Sequence, residues 1–303
     1  DVTDYTVIGA GAIGGWLAAH LAGRGHRVTI VDSDREHVAA IAGDGIALLH
    51  PDGEVERRRV EAVTPEEHRG RLSTVLLATK AQRTEEAAAW AAERLADDGL
   101  VLVCQNGQGY RRAAALLGAD RVLPVLVNFA ADRVAPGTVR IGGSGTLAIG
   151  EVDGARTRRL ARLAGDLDGF AGLRVSDNVV GLLWSKAVLG VLITATALVD
   201  DDMVPTIERH RGAMIALARE TAALAAASGA RLEALDGIDW SGLDERPDGV
   251  IDDVLRYLGG LPGKRRSGVF RDLSAGRVPT EASAELGEML AAAEAADVPA
   301  PAL

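Results

Sequence analysis

A β-branched run, Asp4-Tyr5-Thr6-Val7-Ile8, leads into Gly9-Ala10-Gly11-Ala12-Ile13-Gly14, and an alanine-rich helical pattern follows at once. No other feature restricts the fold as much. A strand that turns on three glycines into a helix, with a second strand at 27–31, fills the length of one βαβ unit. Each glycine has its own task in such a turn. Gly9 permits the tight bend, Gly11 lets a phosphate approach the backbone without meeting a Cβ, and Gly14 lets the helix lie close on the strand. The unpaired N–H groups around Gly11, Ala12 and Ile13, at the positive end of the helix dipole, suit a pyrophosphate. Asp32 closes the second strand, where an acidic residue hydrogen-bonds the ribose of NAD and repels the 2′-phosphate of NADP. The expected cofactor is NAD, with NADP the alternative because Arg35 stands close by.

Downstream the pattern keeps alternating. Strands are expected at 45–50 and 54–60, a hairpin turning at Pro51-Asp52-Gly53, and again at 73–78, 100–104, 121–128, 138–141 and 146–149. Helices are expected at 35–42, 85–96 and 111–117. The alternation implies a doubly wound, mostly parallel sheet. After about Asp177 strand patterns cease, and helical patterns occupy 179–199, 206–227, 250–258 and 280–296. The expected fold class is α/β, with a Rossmann domain over 1–174 and an all-α domain over 175–303. The Gly- and Asp-rich stretch 236–249 reads as a loop, with a composition that allows mobility.

Composition removes several function classes. A net charge of −10 argues against a nucleic-acid partner, which needs a basic footprint. The short run Lys264-Arg265-Arg266 reads either as a solvated loop or as a holder of an anionic substrate group. The single cysteine, Cys104, ends an apolar run and reads as a core thiol; one cysteine excludes an internal disulfide and a paired structural zinc site. The segment 179–199 is about long enough to span a bilayer, but a mid-segment lysine and the Asp200-Asp201-Asp202 that follows favour a buried helix of a soluble protein. With no signal peptide visible, the expected compartment is the cytoplasm. The alanine-rich C-terminal helices suggest a homodimer. A small molecule is the expected partner, without nucleic acid or membrane.

Reducing a carbonyl requires a proton donor. Five histidines fall in the Rossmann half, and His210 stands among charged residues, so the acid is sought elsewhere. Lys186 is the one charge in a long apolar helix. Burial disfavours an ammonium ion, which is the tuning a proton-transferring lysine needs; the other reading is a lysine that snorkels to solvent. Asn106 and Lys80 each follow an apolar strand, at the edge where α/β sheets bind ligands. Either could be an ordinary turn residue. Glu281 starts the last helix behind Thr280, where a carboxylate also serves the helix dipole.

These segments, in this order, resemble the ketopantoate reductase (2-dehydropantoate 2-reductase) family. The likeness rests on Gly9-Ala10-Gly11-Ala12-Ile13-Gly14-Gly15, Thr79-Lys80-Ala81-Gln82, Cys104-Gln105-Asn106-Gly107, Trp184-Ser185-Lys186 and the tail from Asp272 through Gly276-Arg277-Val278-Pro279-Thr280-Glu281. It implies a Rossmann domain, an all-helical domain and a site in the cleft between them. Lys186 would be the proton donor, Glu281 the carboxylate that binds the substrate hydroxyl, and Asn106 the residue placing nicotinamide and substrate. The resemblance breaks in the substrate shell. Gly190 and Thr194 stand where the family carries asparagines, and the family's substrate-carboxylate serine falls at Gly268, beside Ser267. The family commonly prefers NADPH, with a basic residue near the position of Asp32. The reading is therefore a hydride-transferring enzyme for a small 2-oxo acid, ketone or alcohol. Two alternatives are a dinucleotide-binding sensor without chemistry and a 3-hydroxyacid dehydrogenase.

Overall fold

A computed structural model describes residues 2–142, 145–170, 172–261, 265–278 and 280–303, with the side chain of Glu281 outside that set. The chain forms two compact units, Asp1–Val179 and Val180–Leu303.

The first unit begins with β1 (Asp4–Ile8), α1 (Ala12–Gly23), β2 (Arg27–Val31) and α2 (Arg35–Asp44). The hairpin β3 (Ile46–Leu49) and β4 (Val55–Arg58) follows, then β5 (Glu61–Val63), β6 (Leu72–Leu77), α3 (Thr84–Ala92), β7 (Leu95–Val103) and α4 (Gly109–Leu117). The unit closes with β8 (Val122–Asn128), β9 (Ala131–Ala135), β10 (Thr138–Ile141), β11 (Thr146–Ile149), α5 (Arg158–Asp166) and β12 (Leu173–Val175). Eight strands form one sheet in the order β12-β11-β8-β7-β6-β1-β2-β5. It is parallel from β5 to β8, and β11 joins β8 antiparallel. The α/β class with a mostly parallel sheet is therefore the observed one.

The register of this sheet positions everything at its upper edge. Ile8 pairs with both Val31 and Leu77, and Leu77 pairs with Val103, so β1, β2, β6 and β7 end level. Three further bonds carry the ladder past the strand ends: Gly9 N–H to Val31 O, Ala78 N–H to Ile8 O and Cys104 N–H to Leu77 O, each 2.9 Å. Strands buried on both faces show continuous apolar runs, as in Val75-Leu76-Leu77, and these are buried. Trp16 packs on Phe129 and Phe170, with centroids 4.6 and 5.1 Å apart.

The structure adds elements that the sequence pattern did not announce. A second sheet, β4-β3-β10-β9, lies against α1. Gly15 makes room for it: a Cβ there would stand 2.7 Å from Ile46 Cδ1 and 3.0 Å from Val139 Cγ2. β5 and β12 close the two ends of the main sheet with three residues each, too short to show a period. β7 starts at Leu95, not at 100, because Leu95 is buried and pairs with Leu72; this ends α3 early.

The second unit contains α6 (Val179–Ala195), whose first residue belongs to the first unit, α7 (Met203–Arg209), α8 (Arg211–Ala227), α9 (Pro247–Gly259), α10 (Gly268–Ser274) and α11 (Glu281–Ala295). Among the described residues no named strand occurs there, only a bridge between Leu235 and Ile238. The expected helix 206–227 is two helices, broken at His210 (φ −114°, ψ 30°). Arg211 fixes the break by donating to Glu208 of α7 at 2.9 Å and to Asp252 of α9 at 2.6 Å. The stretch 236–249, read as a loop with freedom to move, is a packed loop: Ile238, Trp240 and Leu243 are buried in the helical core. Apolar residues hold it where Gly and Asp content suggested freedom. α6 with the turn after it passes the length and composition test for a membrane span, yet most of it is buried as the core helix of this unit.

In the first unit Glu151 is buried and accepts from Arg159 through Nε at 2.8 Å and Nη2 at 2.5 Å, and from the Thr157 hydroxyl at 2.5 Å. The Arg159 bond holds its carboxyl below the usual value of 4.5, against the opposing effect of burial. Its stabilising effect is therefore complete above about pH 4.5 and fades as pH falls further. Glu151→Gln is expected to destabilise the protein by about 2 kcal/mol at pH 7. Urea unfolding checks this, with the gap to the wild type closing in acid.

Candidate active site

The glycine turn has the geometry its sequence requires. Gly9 has φ +90°, and a Cβ on it would lie 2.9 Å from Thr79 N. A Cβ on Gly14 would lie 2.0 Å from the Gly9 carbonyl oxygen, so only glycine lets α1 approach β1 this closely. At Gly11 a Cβ would meet nothing within 4 Å: the turn borders open space there. Gly11 is also the N-cap of α1, and no side chain caps this helix. Open room beside an uncapped helix start fits an anionic group such as a pyrophosphate.

Asp32 stands at the end of β2, half-buried. Its Oδ2 accepts the Ala10 N–H at 2.7 Å and its Oδ1 accepts the Asp34 N–H at 2.9 Å. Each oxygen keeps a further lone pair for a ribose hydroxyl. Asp34 caps α2 through the His37 N–H and pairs with Arg133 at 2.8 Å; the amide first, then the guanidinium, hold its carboxyl below the usual range. Arg35 is exposed and lies 3.8 Å from Glu66.

Lys80 follows β6 and is exposed; Asn106 follows β7 and is exposed at the tip of its loop. What binds these two loops together is Gln105, which the sequence reading did not single out. Its buried amide donates to Thr79 O at 2.8 Å and Thr79 Oγ1 at 2.9 Å, and it accepts from the Thr84 hydroxyl at 2.9 Å. A polar side chain directly after an apolar strand was the available signal. Cys104 is a core thiol, pushed up to about 12 by burial.

In the second unit α6 carries a partly open stripe on a largely buried surface. Lys186, Gly190 and Thr194 lie one turn apart on one face, all half-buried. Ser185, fully buried, accepts the Glu233 N–H at 2.9 Å and lies 2.8 Å from Glu233 O, tying the segment after α8 to α6 beside Lys186. Ser267 caps α10, its oxygen accepting the Phe270 N–H at 3.1 Å, and Gly268 opens that helix. Glu281 is the first residue of α11. Lys264 lies outside the described residues. Arg265 and Arg266 face the acidic run: Arg265 reaches Asp202 at 2.9 Å and Arg266 reaches Asp200 at 3.1 Å. Both arginines are thus ion-paired within the chain.

A family model described as Ketopantoate reductase PanE/ApbA matches residues 5–154, and its C-terminal counterpart matches 178–303. The chain belongs to this ketopantoate reductase family. Within the family, the chain is 29% identical over 300 residues to the 2-dehydropantoate 2-reductase of Halobacterium salinarum, covering 97% of this chain and 93% of that one. Among solved structures, the PanE/ApbA family ketopantoate reductase of Ralstonia eutropha superposes with a TM-score of 0.81 at 28% identity, over 99% of this chain and 94% of that one. D-mandelate dehydrogenase, solved with NADH and anilino(oxo)acetate, shares the fold with a TM-score of 0.84 at 20% identity and the same coverage. The family is one of oxidoreductases.

Removing the Gln105 amide leaves the hydroxyls of Thr79 and Thr84 without that partner. Gln105→Leu is expected to cost about 1–3 kcal/mol. Urea unfolding and hydrogen exchange at residues 79–84 measure it, with unchanged exchange counting against the bridging role.

Proposed function

We propose that this ketopantoate reductase family member transfers a hydride between a nicotinamide cofactor and a small 2-oxo acid or ketone, or its alcohol, with Lys186 as general acid and base. The observation that carries the reading is α6 itself. Its half-buried lysine is the one charged residue on a seventeen-residue helix most of which forms core. A carbonyl that accepts hydride becomes an alkoxide and takes a proton. An ammonium on this face supplies it, and the amine recovers it in the oxidative direction.

The other residues take supporting roles. Gly9, Gly11, Ala12, Ile13 and Gly14 hold the pyrophosphate, and Asp32 the adenosine ribose. Lys80 and Asn106 serve the nicotinamide half. The nicotinamide ring, when bound, supplies the hydride. Glu281 anchors the substrate hydroxyl. Thr194 and the proton of the Ser267 hydroxyl are donors for substrate oxygen atoms. Gly190 leaves open space, since a Cβ there would meet no atom within 4 Å. That room supports a substrate with a bulkier side chain than an asparagine at this position would permit. Asp32 favours NAD, because a carboxylate just past the end of β2 repels a 2′-phosphate.

Lys186→Ala is expected to lower kcat about 10²–10⁴-fold while the Kd for NADH stays within about twofold. Stopped-flow turnover and fluorescence titration separate the two, and undiminished kcat rejects the acid role. Asp32→Ala is expected to shift the NADPH-to-NADH ratio of kcat/KM toward NADPH by about tenfold. Steady-state assays with both cofactors on a panel of 2-oxo acids measure it.

A further inference from the structure

His37, on α2, is completely buried and touches two backbone groups that belong to different parts of the first unit. Its Nδ1 accepts the Gly137 N–H at 2.9 Å. A nitrogen that accepts carries no proton, so the neutral ring is protonated at Nε2. Nε2 lies 2.7 Å from the Ala10 carbonyl oxygen and donates to it. The N–H of the same Ala10 donates to Asp32. Side chains from the β2–α2 segment therefore hold both peptide groups of the residue between Gly9 and Gly11.

The geometry of the peptide bond gives this a consequence. The unit is planar and trans, so the Ala10 C=O and the Gly11 N–H point in opposite directions. By drawing the Ala10 carbonyl toward α2, His37 turns the Gly11 N–H away from α2, at the position where the turn borders open space. The other side of the ring ends on the second sheet. Gly137 sits in the turn between β9 and β10 with φ +68°, and its carbonyl accepts the Ala47 N–H of β3 at 2.8 Å. Arg133 of β9 also grips Asp34 at the start of α2. The hairpin is thus fastened to α2 twice, and one fastening continues into the glycine turn.

We propose that His37 is the positioning residue of the pyrophosphate site: its imidazole aims the Gly11 N–H at the cofactor's phosphates and makes that aim depend on the seat of the β9–β10 hairpin. The proposal rests on the dinucleotide reading of the glycine turn. It concerns the phosphates alone and leaves the adenosine contacts to Asp32.

Wild type, His37→Phe and His37→Gln are titrated by calorimetry with NADH, ADP and adenosine. Phe keeps the ring's bulk and removes both bonds; Gln offers one donor and one acceptor. Phe is expected to weaken NADH and ADP about tenfold or more and leave adenosine within about twofold, with Gln close to wild type. Undiminished ADP binding by the Phe variant, or an equal loss of adenosine, overturns the proposal. Should that variant not fold, nitrogen-15 histidine NMR of the wild type decides. An Nε2-protonated His37 whose signals move with ADP and not with adenosine supports the assignment. An Nδ1-protonated ring, or one indifferent to ADP, overturns it. If the wild type binds none of NADH, NADPH and ADP, the dinucleotide reading itself falls and takes this role with it. A wild type that binds beside an unimpaired Phe variant removes only His37.

Discussion

The level ending of four parallel strands underlies the rest of the first unit. Because Ile8, Val31, Leu77 and Val103 lie in register, the glycine turn, Asp32, Lys80 and Asn106 all emerge at one edge of one sheet. A slip of one residue in any of these pairings would exchange the two faces of a strand. It would also carry its loop away from the others. Apolar side chains on both faces hold the register, so the core of the sheet and the alignment of the candidate site have the same cause.

Above that edge the backbone is arranged by buried and half-buried polar side chains. Asp32 and His37 hold Ala10, and Gln105 joins the loop after β7 to the loop after β6. Ser185 does the same in the helical unit, fixing the Glu233 backbone to α6. Each of these groups is satisfied by a backbone partner distant in sequence, which is how buried polar groups are retained without net cost. In a core built largely from aliphatic residues, whose packing tolerates rearrangement, such directional bonds give the loops one conformation.

Much of this was legible in the residues. The glycine run announces the turn, since no other residue fits at Gly9 or Gly14, and Lys186 stands out against its apolar helix. Other features were hidden for stated reasons. β5 and β12 are too short to show a period. The break at His210 lies inside a continuous helical pattern and depends on Arg211 reaching α9. The stretch 236–249 has the composition of a loop, yet Ile238, Trp240 and Leu243 anchor it. His37 looked like one of five ordinary histidines, because its two partners, Ala10 and Gly137, are 27 and 100 residues away. The short basic run reads as a solvated loop or an anion site, and the sequence does not show that Arg265 and Arg266 pair with Asp202 and Asp200.

Local sequence accounts for what depends on near neighbours: the glycine conformations, the apolar periods of helices and strands, the lone cation on α6, and the order of an α/β unit followed by a helical one. These are set by backbone sterics and by burial patterns within a few residues. Long-range pairing alone chose the strand order, the second sheet against Gly15, and the side chains that grip the turn. Those outcomes rest on hydrogen bonds and contacts between segments that sequence proximity does not connect, and they exist only once the sheet has brought the segments together.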